Sequence, residues 1–232
     1  VAFVVYLASW TGWLVTDGGY NRHAVPDTGS GPWSWLSSSL QSLWMYHQAM
    51  YTSHITLPSS HSYASPPWQW PLMLRPTAMY YEGSATGENG CSVLGNGCAE
   101  SISSIANPIL WWAACMAVIY LVWRAFARRE RSDWLVLTGV VATYVPWLLY
   151  PERTIFQFYT IVMLPFLVLA LATALRDLAQ PRTRRGFALG RWCTGVFLVA
   201  VVAVSAWYYP VWTAIPVSYE FWYLHFRRDG WV

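Results

Sequence analysis

The sequence predicts an all-α membrane protein, a polytopic set of transmembrane helices with one large extracytoplasmic loop segment. Three observations carry that expectation: scarce charge, abundant interfacial aromatics and repeated long apolar runs. Of 232 residues, 56% are hydrophobic, 18% aromatic and only 11% charged, against roughly a quarter charged in ordinary soluble domains. The 17 tryptophans and 15 tyrosines suit a membrane interface, where an amphipathic ring meets hydrocarbon on one edge and water on the other. All basic residues are arginine and the net charge is +3, which is no evidence for a nucleic-acid partner.

The chain opens on Val1-Ala2-Phe3-Val4-Val5-Tyr6-Leu7, with no initiator Met or charged leader, so residues 1–15 read as the end of a transmembrane helix. Four later runs are long and apolar enough to span a bilayer: Pro108–Trp123, Trp134–Tyr150, Thr154–Leu175 and Trp192–Tyr209. Arg124, Arg128, Arg129 and Arg131 fill one connection, and Arg176, Arg182, Arg184, Arg185 and Arg191 another. Arginine-rich connections stay in the cytoplasm. Residues 16–107 and the tail 210–232 then lie outside, and the four-helix region is 108–209.

Within 16–107, a polar turn precedes a helix expected from Ser34 to about Ser53. Trp35, Leu36, Leu40, Leu43, Trp44, Tyr46, His47, Met50 and Tyr51 favour one side, and Ser37, Ser38, Gln41 and Ser42 the other. Such a helix either lies along the membrane surface or packs under extracytoplasmic protein. An irregular Pro-, Gly- and Ser-rich stretch follows. In it, Cys91 and Cys98 flank Ser-Val-Leu-Gly-Asn-Gly, and in an oxidising compartment they are expected to pair as a disulfide. His47, His54 and His61 recur every seven residues, but no cysteine or carboxylate is spaced to complete a zinc set, so no metal site is expected. The carboxylates Asp17, Glu82, Glu88 and Glu100 are scattered and read as structural or solvated.

The densest constellation is His61-Ser62-Tyr63-Ala64-Ser65-Pro66-Pro67-Trp68-Gln69-Trp70-Pro71, followed by Arg75-Pro76. Rings on a proline-stiffened backbone beside His and Arg suit a site for a sugar and its anionic headgroup. Residue types alone equally allow Trp68 and Trp70 as interfacial anchors and Arg75 as a partner of bulk lipid.

The order of these residues resembles the His-Pro-Tyr-x-Ser, Trp-x-Trp-Pro, Arg-Pro signature of bacterial, actinobacterial-type protein O-mannosyltransferases. Ser62 departs from it where the family often has Pro. Ser42-Leu43-Trp44 with Tyr46-His47, Asn107-Pro108 with Trp111-Trp112, and Arg153-Thr154-Ile155-Phe156-Gln157-Phe158-Tyr159 follow in the family's order. The resemblance implies a GT-C-type fold and the carboxy-terminal, four-transmembrane part of a multi-pass plasma-membrane enzyme. Such an enzyme moves mannose from a polyprenyl-phosphate carrier to Ser or Thr of exported polypeptides, with inversion. It also implies that the catalytic Asp-Glu pair lies upstream, so no residue here is expected to be the catalytic base. His61, Tyr63, Trp70, Arg75 and Arg153 are the expected substrate-binding residues; Arg153 is alternatively neutralised by Glu152. Expected partners are polyprenyl-phosphate mannose, the exported polypeptide, membrane lipid and the protein-export translocon; no cofactor is expected. A lipid or sugar transporter, or a noncatalytic membrane subunit, are the competing readings.

Overall fold

A computed structural model describes residues 1–26, 32–56, 59–92, 96–180 and 184–226, the side chains of 184–187 excepted. Arg182 and the end of the expected tail, 227–232, lie outside the described residues, as do the side chains of Arg184 and Arg185. The chain divides into two compact units, Val1–Pro58 and Ser59–Val232.

The first unit holds α1 (Ala2–Ser9), α2 (Thr11–Val15) and α3 (Ser38–Ile55). The Arg22 guanidinium donates to the carbonyls of Trp13 and Leu14 at 3.1 and 2.8 Å, placing a cation where the carbonyls of α2 end. Ser37 caps α3 by accepting from Leu40 N–H, as expected of serine at that position. Ser42 and Leu43 are enclosed, while Trp44, Met45 and Tyr51 are exposed. Ser42 is small, and its Oγ accepts the Val25 N–H at 3.1 Å, so the preceding segment can lie close against that side. The bulkier residues are left outward.

The second unit is built on four helices: α4 (Pro108–Arg128), α5 (Arg131–Leu148), α6 (Leu164–Ala179) and α7 (Arg184–Trp212). Trp111, Ala114, Ala117, Leu121 and Ala125 line the inner side of α4, a three-to-four spacing that makes one helical face. They pack with Leu137 of α5, Leu167, Ala170 and Leu171 of α6, and Val211 of α7 in one core. Met116, Ile119, Phe126, Leu135, Val199 and Val202 remain exposed, and an apolar outer flank of that extent is unsuited to water. Pro108–Arg128 and Ala188–Thr213 are long and apolar enough to cross a membrane. The two helices between them are shorter, at 18 and 16 residues. The run expected to be continuous from Thr154 opens instead as a 3-10 turn, Gln157–Val162, before α6 begins.

The all-α expectation is corrected by a small sheet. Its strands are β1 (Ala78–Ser84), β2 (Cys98–Ser103) and β3 (Val217–Ser218), antiparallel in the order β1-β2-β3. Met79, Tyr80, Tyr81 and Ile102 are strand-favouring residues inside the stretch read as irregular. Gly97 takes φ +83°, and a side chain there would meet the Ser84 carbonyl oxygen at 2.4 Å, so only glycine lets the hairpin close. Cys91 and Cys98 are disulfide-bonded across that closure, with Cα atoms 5.7 Å apart. A final helix, α8 (Tyr219–Leu224), follows β3 directly. His225 ties it to α7 through the Trp207 carbonyl at 2.9 Å and by stacking on the Trp207 ring.

Asn107 ties α4 to α7. Its Oδ1 accepts Leu110 N–H as the cap of α4, and its Nδ2 donates to Val201 O and Ser205 Oγ of α7, at 2.8 and 2.9 Å. Asn107→Ala removes the cap of α4 and two hydrogen bonds to α7, so we expect a loss of about 2 kcal/mol. Thermal unfolding in detergent checks this; an unchanged midpoint would mean that water replaces the amide.

Candidate functional site

The proline-rich segment after Ser59 is held by backbone bonds that its own sequence leaves available. Its prolines lack N–H groups, so the few remaining donors and the carbonyls find partners elsewhere. Ser65 N–H donates to Ile155 O at 2.8 Å, and Thr154 Oγ1 donates to Ser59 O. Tyr144 of α5 donates its hydroxyl to Pro67 O at 3.0 Å, and Trp111 of α4 shares its indole N–H between Trp70 O and Pro71 O, both at 3.2 Å. Two segments more than eighty residues apart are thereby pinned together at one end of the bundle.

The convergence produces a continuous aromatic ridge. The Arg75 guanidinium lies 5.5 Å from the Tyr63 ring, within cation–π range, and its Nε donates to Ser62 O at 2.9 Å. Tyr63 lies against His61, whose ring meets Phe156 edge-on at 5.0 Å. Phe156 contacts Tyr159, Tyr159 contacts Trp147 at 5.1 Å, and the Arg153 guanidinium sits over Trp147 at 5.8 Å. An arginine thus stands at each end of the ridge. His61 Nδ1 accepts the Tyr63 backbone N–H at 3.1 Å, which leaves Nε2 as the ring's outward polar atom.

His61, Tyr63, Arg75 and Arg153 are therefore brought into one ridge. Trp70 is placed differently. Its indole is 0% exposed, with its N–H given to Ser65 O at 2.9 Å and its ring against Trp147 and Tyr144. It has no free face for a sugar and acts by fixing Trp147 and the motif backbone. Trp68, two residues earlier, is 57% exposed.

Gln157 stood within the Arg153–Tyr159 run of the sequence but was given no role there. It is 2% exposed and its Oε1 accepts no hydrogen bond, an unusual state for a buried amide. An amide inside the aromatic run Phe156-Gln157-Phe158-Tyr159 was the available signal. Also missed was an ion network at the other end of the bundle, where Arg124, read as a cytoplasmic surface arginine, is 4% exposed and forks onto Asp133. Among the described residues no group of three His, Cys, Asp or Glu is placed to hold a metal ion.

The described residues thus form a mostly helical, membrane-associated fold with this ridge at one end. Residues 39–228 match the family model described as the C-terminal four TMM region of protein-O-mannosyltransferase. The chain belongs to the protein O-mannosyltransferase family. It is 34% identical over 242 residues to the polyprenol-phosphate-mannose–protein mannosyltransferase of Mycolicibacterium smegmatis, and 32% identical over 240 residues to that of Mycobacterium tuberculosis. Each match covers 100% of this chain and 45% of the relative, so the chain spans about half the length of the curated relatives it matches. In fold it is similar to a chain of the Saccharomyces cerevisiae Pmt1-Pmt2 complex bound to the sugar donor, with TM-score 0.64 and 21% identity, over 90% of this chain and 29% of that one.

Proposed function

We propose that this chain is the donor- and acceptor-holding membrane part of a polyprenyl-phosphate-mannose:protein O-mannosyltransferase that adds mannose to Ser or Thr of exported polypeptides. The observation that carries the reading is the ridge itself: the motif after Ser59 and the segment from Trp147 to Tyr159 meet and set Arg75 and Arg153 at its two ends. Transfer from such a donor breaks the bond between the sugar's anomeric carbon and a phosphate oxygen. Negative charge returns to the phosphate as that bond opens, and fixed guanidinium groups stabilise it. Gln157 Oε1 suits a hydroxyl of the bound donor. The acceptor hydroxyl needs a general base on the opposite side of the anomeric carbon, and that carboxylate is supplied from outside this chain.

The reading extends to topology. We place the protein as a multi-pass, GT-C-type plasma-membrane protein, with 108–209 as four transmembrane helices, 1–15 as the end of another, and 16–107 and 210–232 outside the cell. The Cys91–Cys98 disulfide suits that compartment, and the arginines at the far end of α4 and α6 suit the cytoplasmic side. The translocon is a fitting partner for an enzyme that meets polypeptides as they emerge.

The test is to express the complete reading frame in membranes and measure mannosyl transfer from polyprenyl-phosphate mannose to a Ser/Thr peptide, with an upstream carboxylate variant as control. Transfer that the carboxylate variant abolishes is expected. Donor movement across vesicles without transfer would replace this reading with a transporter.

A further inference from the structure

Beside the ridge lies a second concavity that none of the expected site residues except Tyr63 enters. It is a cavity of about 310 Å³ between the sheet and α8. Register pairs Ala78 with Ser103 and Tyr81 with Ser101, so these four residues share one sheet face. Ser101, Ser103, Tyr81, Trp222, Tyr223 and Tyr63 line it. Trp222 is fixed by its indole N–H on Ser101 Oγ at 3.0 Å and by the Tyr81 ring at 4.9 Å. Tyr80 stands at the rim. Its hydroxyl donates to the Glu82 carboxylate at 2.6 Å, and that bond holds the phenol above its ordinary pKa, so it stays protonated.

We propose that this groove binds the acceptor polypeptide in extended form, along residues flanking the hydroxyl that receives mannose; the inference rests on the mannosyltransferase reading. Three features select a polypeptide. The lining is tyrosine, tryptophan, phenylalanine and serine, with no charged side chain. That is the mixture of rigid amphipathic rings and small hydroxyls that recognises peptide surfaces at low entropic cost. A sugar subsite of this size would need the carboxylates, amides or guanidinium groups that fix hydroxyls, and the lining contains none. β1 is an outer strand of the sheet, a position at which an extended chain can add by main-chain pairing. Tyr63 is shared with the ridge, with Arg75 over its ring, so a peptide in the groove runs toward the donor headgroup.

The test uses the full-length enzyme carrying Tyr81→Ala or Tyr223→Ala, assayed with a Ser/Thr peptide of about ten residues and with a minimal blocked threonine too short to reach the groove. The expected result is a rise of about tenfold in KM for the long peptide, with KM for the lipid donor retained and little change for the minimal acceptor. A benzophenone placed two or three residues from the acceptor hydroxyl should crosslink to residues 78–81 or 219–226. Equal losses for long and minimal acceptors, or crosslinks confined elsewhere, would overturn the proposal while leaving the transferase reading intact. Tighter binding of an already mannosylated peptide would overturn it in favour of a sugar subsite. If the parent enzyme transfers no mannose to any acceptor, the underlying reading fails first.

Discussion

Arg153→Ala and Arg75→Ala in the full-length enzyme should each lower kcat/KM for the lipid donor by about tenfold to a hundredfold. A charge-assisted hydrogen bond to a phosphate oxygen contributes roughly 1.5–3 kcal/mol, and about 2.7 kcal/mol is a hundredfold in rate. Arg75 gives Nε to Ser62 O and lies on Tyr63, so part of its loss is a loosened turn after His61. Arg153 lies over Trp147, which itself packs against Trp70 and Tyr159, so its head rests on a fixed aromatic support. Lysine at 153 should recover only part of the rate, because a point charge cannot match two phosphate oxygens as a planar fork does. Membrane insertion, checked by protein level and protease pattern, should be unchanged. Donor kinetics equal to the parent in both variants would reject the headgroup assignment.

The core helices were legible because Trp111, Ala114, Ala117, Leu121 and Ala125 repeat at helical spacing within a long apolar run. The sheet was not. β1 and β2 are separated by a disulfide loop rich in glycine, and β3 contributes only two residues, so no alternation long enough to read existed in either partner alone. On α3 the burial of Ser42 was not legible, because hydropathy gives a small serine no credit for admitting a neighbouring backbone. His61, Tyr63, Arg75 and Arg153 were legible as an ordered set, yet only tertiary packing separates Trp68, exposed, from Trp70, sealed. Gln157 gave a weak signal, since one amide among aromatics becomes informative only when its oxygen is found buried and unbonded.

The least legible feature has the largest expected effect on stability. Arg124 gives Nε and Nη2 to the two oxygens of Asp133, both at 2.6 Å, and Nη1 to Asp177 at 2.6 Å; Tyr120 adds its hydroxyl to the same Asp177 oxygen at 2.8 Å. Asp133 is 1% exposed. One guanidinium therefore locks α4 to α5 and α6, and Arg128 and Arg176 reach Asp177 from the exposed side at 3.5 and 3.6 Å. Asp133→Ala leaves Nε and Nη2 of the buried guanidinium without an acceptor while Asp177 still holds Nη1, so it should cost about 3 kcal/mol, a fall of roughly 10 °C in unfolding midpoint for a chain of this size. Arg124→Lys should be nearly as damaging, since an ammonium cannot serve the fork and Asp177 together. Removing both charges, as Arg124→Met with Asp133→Leu, should recover most of the loss because no buried ion is left unpaired, and Asp177 keeps Tyr120 and Arg128. Thermal unfolding of the purified protein in detergent measures all three. If the double variant is as unstable as Asp133→Ala, the network contributes by geometric fit of the three helices and not by charge neutralisation; if Asp133→Ala loses under about 1 kcal/mol, water must reach Arg124 and the pair behaves as a surface one.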